Sequence, residues 1–218
     1  MRYIIHASES RLWYVNGYLV PSIMRQGIGR DNIIVYSDKH GLGNLESCMR
    51  IFGLMPNSYE GSWHLQDDVI ISEDFAERTS KAKDNCIISG FSSIYDLDNP
   101  GEVTPEQMWY SFPCIYIPNN LARECAGWYY ETARKDVKYK SFIDMRNGDD
   151  YIFQEFVKSY YPEYSCINMV PNIVNHIDFL IGGSLCNKSR KEKAVMSRFW
   201  RDDKLLEDVW KWIKEHKQ

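Results

Sequence analysis

Short apolar runs alternate with helix-patterned stretches over roughly the first ninety residues, and nothing else constrains this chain's fold so tightly. Tyr3 to Ser8 reads as a buried strand. Helical spacing follows from about Arg11 to Gln26, weakened by Gly17 and bent by Pro21. Ile33-Ile34-Val35-Tyr36 reads as a second strand ending at Ser37-Asp38. Asn44 caps a helix carrying Leu45, Cys48, Met49 and Phe52, and Trp63 to Ile71 reads as a third strand interrupted by Gln66-Asp67-Asp68. This repetition implies parallel strands joined by crossover helices, a sheet type that binds ligands beyond the carboxyl ends of its strands.

Further strands are expected at Cys86 to Phe91, Phe112 to Ile117 and Cys166 to Val170. Helices should start at Pro118-Asn119-Asn120, at an Asp149 or Asp150 cap, and at about Asp202, the last with Leu205, Leu206, Val209, Trp210 and Ile213 on one stripe. The expected fold is α/β, with a mixed, mainly parallel sheet flanked by helices and a C-terminal helix. With 218 residues the chain can bury a substantial core as one domain. Asp96 to Pro105 reads as an internal loop between a half of about residues 1–95 and one of about 106–218.

A net charge of -4 speaks against a generic polyanion binder. Locally, Lys188, Arg190, Lys191, Lys193, Arg198 and Arg201 face one acid, Glu192, which fits either a solvated face or an anionic partner. Six cysteines include no Cys-x-x-Cys pair and sit mostly in apolar runs, so they read as reduced thiols of a cytoplasmic protein. The Met1 to His6 start lacks a signal-peptide pattern, and no run has membrane-spanning length.

Asp67 and Asp68 place adjacent carboxylates in an apolar strand, which is costly unless something positive pairs with them. Strand neighbours face opposite ways, so both acids reach one pocket only where the chain turns. A divalent ion bridging a diphosphate would supply the charge; a polar strand end leading into a helix after Ser72 explains the residues without one. Ser8-Glu9-Ser10-Arg11 and Ser37-Asp38-Lys39 end the first two strands, and a parallel sheet would bring them beside that turn. His176, near Asp178 in an apolar segment, suits a metal ligand or a hydrogen-bonded structural residue. Gly148-Asp149-Asp150 opens a helix, where the dipole favours acids and where a carboxylate can also serve as general base.

In this order the pieces resemble a GT-A glycosyltransferase. Gln66-Asp67-Asp68 stands where that family carries Asp-x-Asp, and Pro171-x-x-Val174-x-His176 is similar to its late Pro-x-x-Val-x-His element. The resemblance implies Asp68 and His176 as ligands of Mn2+ or Mg2+. Gly148-Asp149-Asp150 resembles the acidic motif whose final Asp is the base of inverting members, implying Asp150, with Asp149 beside it. Ser8, Glu9, Arg11, Asp38, Asn44, Gln66, Asp67 and Lys188 would contact the nucleotide sugar, and Trp109 and Tyr110 the acceptor. Gln66 departs from the motif; its amide can still hydrogen-bond a ribose hydroxyl. The chain is also similar to small glycosyltransferase-like proteins of bacteriophages and prophages, through His6 to Arg11, Trp63 to Asp68, Met108 to Pro113 and Asn175 to Lys188. That likeness implies the host cytoplasm.

The implied reaction moves a sugar from a UDP-linked donor to a hydroxyl, with a hydroxylated base in phage DNA as one acceptor. Replacing Asp68 by alanine is then expected to abolish turnover and leave folding intact. A sugar-nucleotide pyrophosphorylase or other nucleotidyltransferase shares the sheet and the acid-held metal but usually brings an early Gly-rich, basic phosphate loop, of which Gly41-Leu42-Gly43 is a poor version. A non-catalytic DNA-binding phage protein would use the basic segment and need no buried acid pair.

Overall fold

The computed structural model describes residues 1–84, 86–91, 102–103, 112–145, 148–164, 166–169, 171–182 and 203–217. Its strands are β1 (Arg2–Ser8), β2 (Ile33–Asp38), β3 (Gly61–Gln66), β4 (Val69–Ile71), β5 (Ile87–Ser89), β6 (Glu102–Val103), β7 (Cys114–Pro118), β8 (Cys166–Asn168) and β9 (Val174–His176). Seven form one sheet in the order β2-β1-β3-β7-β5-β8-β6, and β4 pairs with β9 in a two-stranded ribbon. Strands β1, β2, β3, β5 and β8 run one way, and β6 and β7 the other. The sheet is therefore mixed and mainly parallel, as expected. The antiparallel β7 between β3 and β5 is what the early alternation does not announce.

The helices are α1 (Leu12–Tyr14), α2 (Val20–Arg25), α3 (Asn44–Gly53), α4 (Phe75–Thr79), α5 (Asn119–Glu131), α6 (Lys140–Met145), α7 (Asp149–Tyr160) and α8 (Asp203–His216). A π-helical turn, Val15–Leu19, joins α1 to α2. It precedes Pro21, which has no N–H to donate to the ladder; a wider turn there absorbs the defect, so the helical path bends without breaking.

Period-two alternation divides the sheet into two faces. Tyr3, Ile5 and Ala7 of β1 and Trp63 and Leu65 of β3 point into a core covered by the first helices and by Val209 and Ile213 of α8. On the other face Ile4 packs with Leu45, Cys48 and Phe52 of α3, Leu121 and Cys125 of α5, and Ile152 and Phe153 of α7. On α8 the aromatic that faces inward is Trp212; Trp210 is 40% exposed, beneath Lys214 Nζ, which lies 4.6 Å from the ring centre. Trp212 stacks on Trp13 with rings 3° from parallel, and a Cβ on Gly17 would lie 3.0 Å from its ring. Glycine at 17 thus admits the indole rather than merely weakening the helix.

Candidate functional site

The site follows from the same alternation. On β1, β2 and β3 the residues sharing the α3 face near the carboxyl ends are His6 and Ser8, Tyr36 and Asp38, and His64 and Gln66. The parallel register sets His6 beside both Tyr36 and Gln66, and Ser8 beside Asp38. Polar side chains therefore replace apolar ones where the strands run out. Together with Phe52 and Ser47 of α3, Asp149 of α7, Phe112 and His176 they line a cleft of about 920 Å³ of empty space, open mouth included.

Of the residues singled out in the sequence, Ser8, Arg11, Asp38, Asn44, Gln66, Asp67, Asp68, Asp149 and His176 all line this cleft. Glu9 is exposed and does not line it, and neither does Asp150. Trp109, Tyr110 and Lys188 lie outside the described residues, as does the basic segment from Lys188 to Arg201.

Asp67 and Asp68 sit in the turn between β3 and β4, the place where adjacent acids can face one pocket. The charge that compensates them is Arg11, 3% exposed. One nitrogen, Nη1, donates to Asp67 Oδ1 at 2.8 Å and to Asp68 Oδ2 at 2.5 Å. The Ser8 backbone N–H donates to Asp67 Oδ2 at 2.6 Å. β9, paired antiparallel with β4, brings His176 opposite Val69, and its Nε2 stands 3.1 Å from Asp68 Oδ1. Asp68 Oδ1 is buried yet makes no hydrogen bond, so this contact is an ion pair outside hydrogen-bond alignment. On the ring's other side His176 Nδ1 lies 3.7 Å from Asp178 Oδ1. Two side chains far apart in sequence thus meet at the sheet's edge.

Protonation follows from these contacts. Burial alone would raise the Asp68 carboxyl, but His176 and Arg11 beside it hold it well below the usual carboxylate range. Burial and the charge of Asp68 push Asp67 up, against the pull of Arg11. For His176, burial disfavours the cation, and Asp68 and Asp178 more than offset this, raising it. Among the described residues no group of three or more His, Cys, Asp or Glu is arranged to hold a metal ion.

The second acid pair differs. Gly148, at φ 90°, is the N-cap of α7, and a Cβ there would meet Phe142 at 2.6 Å. Asp149 and Asp150 therefore occupy the first turn instead of capping it as the sequence suggests. Consecutive helical residues point about 100° apart. Asp149 is the one that faces the cleft, at 7% exposure, while the Asp150 carboxylate accepts the Tyr151 N–H at 2.8 Å. Burial, then the neighbouring Asp150, pushes Asp149 up to about 7.

Asp38 closes the loop ahead of α3: its two oxygens accept the N–H groups of Leu42 and Gly43 at 2.9 and 3.0 Å. Those bonds hold its carboxyl below its ordinary value against the opposing effect of burial. They also take up the amides that a phosphate would seek in the Gly41-Leu42-Gly43 loop.

Sequence reasoning passed over His6 and His64. His6 Nε2 lies 3.0 Å from His64 Nδ1, and burial holds His6 down at about 4 and His64 well below its ordinary value. Both are neutral at physiological pH, one sharing a proton with the other. The signal was present: His6 and His64 fall on the same alternation as Ser8 and Gln66.

No protein-family model matches the chain, and no curated protein matches it significantly. Solved structures that resemble it include a putative glucose-1-phosphate thymidylyltransferase from Bacillus anthracis, crystallised in complex with a sucrose. The two share 10% sequence identity over 88% of this chain and 96% of that one, with a TM-score of 0.43. A likeness that slight bears neither on the fold nor on the chemistry. Among the described residues no helix is long and apolar enough to cross a membrane.

Proposed function

We propose that the chain is a metal-dependent transferase acting on a nucleotide sugar, of the glycosyltransferase kind. The observation that carries this reading is the approach of Asp68 Oδ1 and His176 Nε2 to 3.1 Å inside the cleft at the strands' carboxyl ends. Two ligand atoms at right angles around an octahedral cation, each about 2.1 Å from it, stand about 3.0 Å apart. Asp68 Oδ1 is also one of the buried acceptors left without a hydrogen bond among the described residues, and it lies within the cleft. Asp68 and His176 therefore fit as two ligands, with phosphate oxygens and water completing the shell. One carboxylate and one imidazole suit Mn2+ better than Mg2+.

When bound, the cation supplies stabilisation of the negative charge that grows on the diphosphate leaving group. The chain's own residues do the rest. Asp178 Oδ1, 3.7 Å from His176 Nδ1, places a second carboxylate on the far side of the ring from Asp68. Gln66 and Ser8 line the floor where ribose and phosphate would lie, and Arg11 keeps the acid pair compensated. Asp149, rather than Asp150, is the residue we assign as base: it lines the cleft, and a carboxyl near 7 is suited to taking a proton from an acceptor hydroxyl at neutral pH.

A nucleotidyltransferase acting on a sugar phosphate is the second reading. The structural likeness reported above is to such an enzyme, though too slight to carry weight, and the loop amides taken by Asp38 count against an early phosphate cradle. A thermal-shift panel separates the two. With Mn2+ present, UDP and UDP-sugars should raise the Tm and the His176→Ala variant should lose that response. A rise with nucleoside triphosphates instead of UDP would transfer the assignment to the second class, and no rise with any of them would remove both.

A further inference from the structure

We infer that Arg11 is the positioning residue of the cation site, the group that makes Asp68 a one-oxygen ligand. This rests on the metal reading above. The acid pair has four carboxylate oxygens, and three are engaged: Asp67 Oδ1 and Asp68 Oδ2 by Arg11 Nη1, and Asp67 Oδ2 by the Ser8 N–H. Asp68 Oδ1, facing His176, is the one without a hydrogen bond. Asp67 is thereby spent as the anchor of Arg11 and is not itself a ligand. Arg11, standing between the acids, fixes the rotation of the Asp68 carboxylate, so that Oδ1 points at the imidazole and Oδ2 does not compete for the cation. The bracket also ties the end of β1 to the β3–β4 turn, holding the ligand-bearing turn to the sheet.

Charge and orientation make opposite demands here, which gives the inference a sign. If Arg11 acted only through its charge, removing it would take a repelling cation away and tighten metal binding. If it acts by orienting Asp68, removing it leaves the carboxylate free to rotate and weakens binding, by about 10- to 100-fold as for other orienting partners of metal ligands.

The experiment is a titration of the full-length protein with Mn2+, read by the EPR signal of the free ion, with and without UDP, on wild type, Arg11→Met and Arg11→Lys. The expected result is Mn2+ binding about 10- to 100-fold weaker in R11M, partly restored in R11K because a single nitrogen spans both acids. Affinity equal to or tighter than wild type in R11M overturns the inference and leaves the metal reading standing. No Mn2+ binding in wild type, alone or with UDP, overturns the metal reading and this inference with it. Should R11M fail to fold, Arg11→Gln replaces it: the variant removes the same positive charge and leaves both ligands and Asp67 in place. Weaker Mn2+ binding in R11Q supports the inference, and equal or tighter binding refutes it.

Discussion

Two Asp-Asp pairs contribute to this molecule's cleft, the first through both acids and the second through Asp149 alone, and they hold their protons in opposite ways. Asp67-Asp68 lies in a turn with Arg11 and His176 against it, and Asp68 is held ionised. Asp149-Asp150 opens α7, where backbone amides are the stabilising contacts and burial pushes Asp149 up to about 7. Identical dipeptides thus become a fixed anion and a proton acceptor poised at neutral pH. Burial acts on both in the same direction; the counter-charge decides the outcome.

The most severe way to break the contrast is Asp68→Asn. It strips one acid from a buried ion network and leaves Arg11 and His176 with a charge uncompensated, so stability should fall by about 3–5 kcal/mol in urea denaturation. A loss of that size would set aside the expectation of a fold untouched by alanine at this position, because Asp68 also holds Arg11 and His176 in place. A loss below about 1 kcal/mol would mean that water already compensates the pair.

Asp149→Asn should do the reverse. In the folded state this carboxyl holds its proton up to about 7, whereas unfolded it releases it near 4. Wild type therefore loses stability as the pH rises from about 4 to about 7 relative to the amide. At pH 8 the variant should be more stable by about 2–4 kcal/mol, and at pH 4 the difference should vanish. Its kcat should drop by about 10²- to 10⁴-fold if Asp149 is the base. The same pH profile in variant and wild type would dissolve the contrast.

Asp150→Asn is the smallest change. Its carboxylate accepts a local N–H in a first helical turn, so about 1 kcal/mol or less should be lost, with kcat within a few-fold of wild type. A loss of kcat as large as that of D149N would return the base role to Asp150.

Much of this was legible in the residues. The strands show as short apolar runs, and the turn at Asp67-Asp68 follows from the cost of burying two acids in an extended segment. The pairing of Asp68 with His176 came from a family resemblance, because no spacing rule joins a residue in the β3–β4 turn to one on β9. Arg11 reads from the sequence as a nucleotide contact because its partners lie 56 and 57 residues away in the β3–β4 turn, so its place between the acids is tertiary information. The choice between Asp149 and Asp150 turned on how α7 is rotated about its axis, and adjacent helical residues differ by about 100°. The expected inward stripe of α8 includes Trp210, whereas Trp212 is the one that packs inward, for the same reason. The antiparallel β7 left no trace, since pairing direction is not written in a strand's composition.

The stacking of Trp13 on Trp212 has a consequence for how the protein comes into being. A nascent chain leaves the ribosome from its amino end at about 5–20 residues per second. Trp13, Tyr14 and Tyr18 are made about 200 residues ahead of Trp212, the indole that contacts all three. For tens of seconds those aromatics wait uncovered. A chain interrupted before α8 would carry strands β1 to β9 with an oily flank open to chaperones and proteases, so this side of the molecule is sealed only once α8 has been made.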